Sequence, residues 1–235
     1  FQNPISFGDE GFHVSTARYV GTEADYSKYT PLYGSTLTPE RFGRPPFWNL
    51  IEASVYFLFG FSEAFVKFLV PFISFMTGIV IYVFLKRLYS ENVGIMAAAI
   101  AVTIPSFVTY SVLFYTTVPY VFFFTIAFLS LLAAIKTGSR KFWLLAGIFS
   151  GISVITNIAG FFMPILTIAM GILHLAKTRN LKGLMGALKT YGVVLLVTVL
   201  VVSPWIARNV GLFWIPGCNN PISITFDKPM DAPET

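Results

Sequence analysis

Apolar and polar residues separate along this chain on a long scale. A mixed stretch runs to residue 46, and apolar runs follow, divided by short basic or Gly- and Pro-containing breaks. From residue 64 the runs cover approximately 64–85, 92–113, 118–135, 142–156, 159–175 and 187–206. A helix needs about 20 apolar residues to cross a bilayer, and most of these runs approach that length. The pair 142–156 and 159–175 is shorter. Asn157 and Gly160 mark the break between the two, and Pro164 with the nearby glycines argues against a single very long helix. Residues 47–60 open after Pro45-Pro46 and close at Gly60. As a helix they reach roughly 21 Å, short of the hydrocarbon thickness, which predicts an interfacial or re-entrant segment. Residues 12–20 suit a short helix, and 27–46 read as irregular. The expected fold class is all-α: a polytopic transmembrane helical bundle of about six spans. Its N-terminal outer loop carries short juxtamembrane helices. The expected divisions are a loop over 1–62, a transmembrane domain over 63–206 and a tail or larger outer loop over 207–235.

Composition strengthens the membrane reading. The chain is 55% hydrophobic with 25 Phe, only 11% of it is charged, and its mean hydropathy is +0.72. Soluble domains carry about 25% charged residues. The net charge of +5 does not imply nucleic acid, because the basic residues cluster between apolar runs. Lys86-Arg87 lies in one break, Lys136, Arg140 and Lys141 in a second, and Lys177, Arg179, Lys182 and Lys189 in a third. Such clusters mark cytoplasmic loops. Walking outward from them gathers residues 1–62, the turn near 114–118, the turn near 157–160 and the tail after Trp205 on the other face. The single Cys218 excludes an intrachain disulfide and a Cys-based metal cluster. Phe1–Glu10 has neither a basic stretch nor an apolar core, so the chain is expected to begin partway through a longer protein or after processing.

The non-cytoplasmic face holds the candidate chemistry. Asp9 and Glu10 are adjacent carboxylates in a chain poor in charge. They suit a helix's first turn, and Asp9 equally suits a general base that removes a proton from an attacking hydroxyl. His13, four residues on, shares a face with Asp9 if the stretch is helical. Asp9 and His13 are also the candidate metal ligands, although a zinc site needs three or four, so no dedicated metal site is expected and a divalent ion stays open. Arg44 and Arg208 offer planar forks for phosphate oxygens, or snorkel to headgroups. Asn157 is a candidate polar contact. Trp48, Trp205 and Trp214 read as interface anchors, and the small residues along 92–101 and 147–153 as close-packing surfaces.

Five landmarks occur in order: Asp9-Glu10 with Ala17 following; Arg44-Pro45-Pro46 before an apolar run ending Leu58-Phe59-Gly60; Lys86-Arg87-Leu88-Tyr89 after a span; Val118-Pro119 opening another; and Ser203-Pro204-Trp205 with Arg208-Asn209. Together they resemble the GT-C superfamily of membrane glycosyltransferases, in the branch of protein O-mannosyltransferases and lipid A aminoarabinose transferases. The resemblance implies a sugar donor on a polyprenyl phosphate and transfer on the non-cytoplasmic face. It further implies Asp9 as the base with Glu10 beside it, and Arg44 as a donor-phosphate ligand. Many members carry a carboxylate just before the Val-Pro-like pair, where this chain reads Tyr115-Thr116-Thr117. Members also have a span before the acidic motif and several after the Pro-Trp segment, so the chain looks like an N-terminal portion.

The expected reaction is a single inverting displacement, with Asp9 as base and Arg44 and Arg208 meeting the departing phosphate. The expected partners are a polyprenyl-phosphate-linked sugar, a protein, lipid or glycan acceptor, and the bilayer. The expected location is a prokaryotic plasma membrane, or the endoplasmic reticulum membrane in a eukaryote. Two other classes stay open: a transporter or lipid flippase, and a non-catalytic relative that binds polyprenyl lipid.

Overall fold

The computed structural model describes residue 17 and residues 45–60, 63–113, 115–177 and 181–213. Among the described residues the chain is helical throughout. In order it forms α1 (Phe47–Phe59), α2 (Glu63–Leu88), α3 (Glu91–Thr103), α4 (Pro105–Ser111), α5 (Thr117–Thr137), α6 (Arg140–Thr156), a 3-10 turn (Ile158–Phe161), α7 (Phe162–Lys177) and α8 (Leu181–Phe213).

Among the described residues four segments are long and apolar enough to cross a membrane: Lys67–Leu88, Thr117–Thr137, Ile158–Ala176 and Met185–Ala207. A fifth span exists only if α3 and α4 act as one, and they meet at a 65° bend. The run expected as one helix over 92–113 is therefore broken. Pro105 has no backbone N–H and opens α4, with Ile104 as the non-helical residue between the two helices. Pro71 and Pro204, by contrast, lie inside α2 and α8 without ending them.

The run over 142–156 forms α6, which at about 25 Å is also short of the hydrocarbon thickness. The direction of its neighbours still requires α6 to carry the chain back. Asn157 Nδ2 donates to Thr116 Oγ1 at 2.8 Å, so α5 and α7 both start from the same end. α6 runs the opposite way between them and packs most extensively on α5 and α8. Its buried face is small and polar, with Ala146, Gly147, Ser150, Gly151 and Ser153. A Cβ on Gly147 would lie 2.7 Å from Val197 Cβ, and one on Gly151 would lie 2.5 Å from Val201 Cβ. Only glycine lets α8 approach this closely, and Thr198 Oγ1 then reaches across to donate to the Gly147 carbonyl at 3.2 Å. Around this seam sits a core of Ala127, Leu131, Trp143, Ala146, Met163, Tyr191 and Val194.

Lys86, Arg87, Lys136, Arg140 and Lys141 gather at one end, while Lys67 stands near the start of α2. Lys86 Nζ pairs with Glu91 Oε1 at 2.8 Å, and Tyr82 OH donates to the same oxygen at 3.0 Å. Lys136 donates to the Leu88 carbonyl and lies 4.3 Å from the centre of the Tyr89 ring. These contacts tie the end of α5 to the α2–α3 turn. The opposite end collects α1, the bend at Ile104, the residues before Thr117 and the turn after Thr156. Of the grouping expected from charge, α1 and the turns near 114–118 and 157–160 fall together here, whereas most of residues 1–44 and the residues after 213 lie outside the described residues and the bend at Ile104 was not expected.

Candidate functional site

Asp9, Glu10, His13 and Arg44 lie outside the described residues, as does Trp214. Arg208 sits in the last turns of α8, where the structure describes its backbone only. Ala17, a few residues beyond the acidic pair, is fully buried against Trp48, Tyr56, Val70 and Val118. The chain that carries the candidate base thus contributes to the end of the bundle where α1 packs.

α1 follows directly from Arg44-Pro45-Pro46. Proline suits the residues just before a helix, and the Leu50 N–H donates to the Pro46 carbonyl at 3.0 Å. The helix ends at Gly60, whose φ of 75° favours a residue without a Cβ. Its two faces differ in chemistry. Leu50, Phe57, Leu58 and Phe59 are exposed. Trp48, Glu52 and Tyr56, spaced four apart, are buried with Asn49 and Ala53 beside them. Phe47 anchors the start of α1 edge-on to Phe123 of α5, with ring centroids 5.5 Å apart.

Glu52 is 0% exposed, and among the described residues neither carboxyl oxygen meets a hydrogen-bond donor. The Trp48 indole N–H is likewise buried without an acceptor. Burial pushes the Glu52 carboxyl well above its ordinary value. Trp48 acts weakly in the other direction, near enough to favour the anion without making a well-formed hydrogen bond. A buried carboxylate without a partner is far costlier than a protonated one, so burial favours the neutral acid at Glu52. It then offers one O–H donor and one carbonyl acceptor beside an indole donor.

Asn157 has both ends of its amide engaged. Nδ2 donates to Thr116, and Oδ1 accepts from the Ala159 N–H at 3.0 Å. It joins the two turns of this end of the bundle. Trp205 is half-buried, and its indole N–H has no acceptor among the described residues. No group of three or more His, Cys, Asp or Glu side chains that could hold a metal occurs among the described residues. Glu52 falls in the run 47–60, which the sequence predicts as interfacial or re-entrant without giving it an inward face. The available signal was the Trp48–Glu52–Tyr56 stripe, a helical spacing that puts an acid on the face opposite Leu50 and Phe57.

A helical membrane protein with a cluster of buried polar side chains at the end away from its basic loops is the class these features define. The chain belongs to the dolichyl-phosphate-mannose-protein mannosyltransferase family, whose model matches residues 43–207, and is therefore a GT-C membrane glycosyltransferase. No curated protein and no solved structure matches it. The match begins one residue before Arg44 and takes in α1 and every helix through most of α8.

Proposed function

We propose that this protein moves a sugar from a polyprenyl-phosphate donor to a hydroxyl of a protein, lipid or glycan acceptor on the non-cytoplasmic face. The observation that carries the reading is the family match, which runs from the Arg44-Pro45-Pro46 motif through the whole described bundle. The separation of the basic end from the α1 end supports the choice of face, because basic loops stay cytoplasmic. Asp9 takes the acceptor proton as the hydroxyl attacks the anomeric carbon, with Glu10 beside it. The bond to the phosphate oxygen breaks, and Arg44 and Arg208 meet the departing charge. One displacement inverts the anomeric configuration through a transition state of oxocarbenium character.

The test uses membranes containing the complete protein and a panel of polyprenyl-phosphate sugars. Transfer that falls by about 100-fold or more in Asp9→Asn, with donor binding kept, supports the base assignment. Arg44→Ala weakens donor binding. Transfer that survives Asp9→Asn overturns the mechanism. A second reading, a lipid-binding relative without transfer, draws on the absence of a carboxylate in Tyr115–Pro119. It predicts Arg44-dependent lipid binding with no turnover on any donor.

A further inference from the structure

The buried face of α1 holds two complementary orphans one helical turn apart. Glu52 presents a carboxyl and Trp48 an indole N–H, both 0% exposed and both without a hydrogen-bond partner among the described residues. Leaving such groups unmade is costly, and a leucine at position 52 would carry no such cost. Among the described residues, Ala17, Val70 and Val118 pack with Trp48 and Tyr56, Phe107 and Ile73 lie at the edge, and Asn49 is buried on the same helix. A single hydroxyl group satisfies both orphans, because it accepts from the indole N–H while donating to the carboxyl oxygen. An anion would be met by two donors only while the carboxyl keeps its proton, whereas a hydroxyl suits the carboxyl in either state. A bare apolar chain would leave both groups unpaired.

We infer that Trp48 and Glu52 form a hydroxyl-binding subsite that recognises the sugar of the lipid-linked donor. This rests on the proposed transfer reaction and deepens it, since it assigns sugar recognition to residues distinct from the candidate base and phosphate ligands. The subsite lies on the helix that begins just after Arg44-Pro45-Pro46, so one short element links the candidate phosphate ligand to the sugar contact. Both side chains are fully buried, so loading the subsite requires α1 to shift against its neighbours. A buried water bridging the same two groups is the competing occupant, and it would give no dependence on the sugar.

The experiment is equilibrium binding to the complete protein in lipid nanodiscs, with polyprenyl-phosphate mannose and bare polyprenyl phosphate as the two probes. The wild type should prefer the mannosylated lipid. Glu52→Leu should reduce that preference about 10- to 100-fold while leaving the bare lipid phosphate unaffected and the melting temperature equal or higher. Glu52→Gln, which keeps a carbonyl and a donor, should retain most of the preference. If Glu52→Leu does not fold, Trp48→Phe removes the N–H and keeps the ring, and should lower the preference several-fold.

An unchanged preference in Glu52→Leu or Trp48→Phe overturns the subsite. So does a wild type with no preference, or a loss of preference that tracks a falling melting temperature. A Glu52-dependent preference in a protein that transfers no sugar would sink the proposed function and leave the subsite standing. Transfer combined with a preference indifferent to Glu52 would do the reverse.

Discussion

α1 and α6 are both too short to cross a bilayer unaided, and both turn polar residues inward, yet they use those residues in opposite ways. In α6, Ser153 donates to the Ser150 carbonyl at 2.9 Å and Thr156 to the Ile152 carbonyl at 2.7 Å. Only the Ser150 hydroxyl of that face lacks a partner. Polar atoms there are small and mostly closed off by their own helix, so they let α5 and α8 come close without leaving costly groups exposed to hydrocarbon. In α1 the inward groups include a large indole and a carboxyl, those of Trp48 and Glu52, which have no hydrogen-bond partner among the described residues. Small, mostly satisfied groups build a scaffold, and the larger unpaired ones are those the proposed subsite would use.

The sharpest way to break this contrast is to disturb the α6 seam. Gly151→Leu drives a side chain into Val201, where even a Cβ would approach to 2.5 Å. We expect a loss of about 3 kcal/mol or failure to fold, read by thermal unfolding in detergent. A variant as stable as wild type would mean that the seam between α6 and α8 is not closely packed in the membrane.

The α1 side of the contrast is tested by pH. The folded value of Glu52 is raised, so the folded state binds its proton more tightly than the unfolded chain does. The stability from this group is therefore complete below the ordinary carboxylate value of 4.5 and is lost as pH rises through the raised folded value. Melting temperature should decline with rising pH in the wild type and be flatter over the same range in Glu52→Gln. Identical slopes would show that Glu52 is not a buried acid. The smallest effect is expected from Thr198→Val, which removes the bond to the Gly147 carbonyl. It should cost about 0.6 kcal/mol, the average for interhelical hydrogen bonds in membranes. A loss several times larger would make that bond, rather than close packing, the main tie in the seam.

Much of the helical layout was legible because hydrocarbon imposes a length and a composition on anything that crosses it. The runs 64–85 and 118–135 correspond to α2 and α5, and the break at Asn157 and Gly160 falls where the chain leaves α6. The start of α7 agrees with Pro164, which lies in its first turn. The bend between α3 and α4 was missed because apolar composition runs unbroken through Ile104-Pro105, and composition does not register a missing backbone donor. α8 extends well beyond 187–206 at both ends, since helical hydrogen bonding need not stop where the apolar run does. The α1 boundaries were legible from flanking Pro and Gly. Its buried acid was not, because an interfacial helix has no fixed inward face until its neighbours are known. Arg44 and the Asp9-Glu10 pair stood out in the sequence for their chemistry, and their geometry lies outside the described residues.

The outward face of α1 has its own consequence for supply. Leu50, Phe57 and Leu58 are exposed on a helix whose other side holds Trp48 and Glu52. Such a helix is a partition wall, with acyl chains against one surface and polar groups behind the other. A donor that travels in the bilayer would meet this wall sideways, without passing through water. Its encounter with the protein would then be set by its mole fraction in the leaflet and by two-dimensional diffusion, and diluting the surrounding buffer would change nothing.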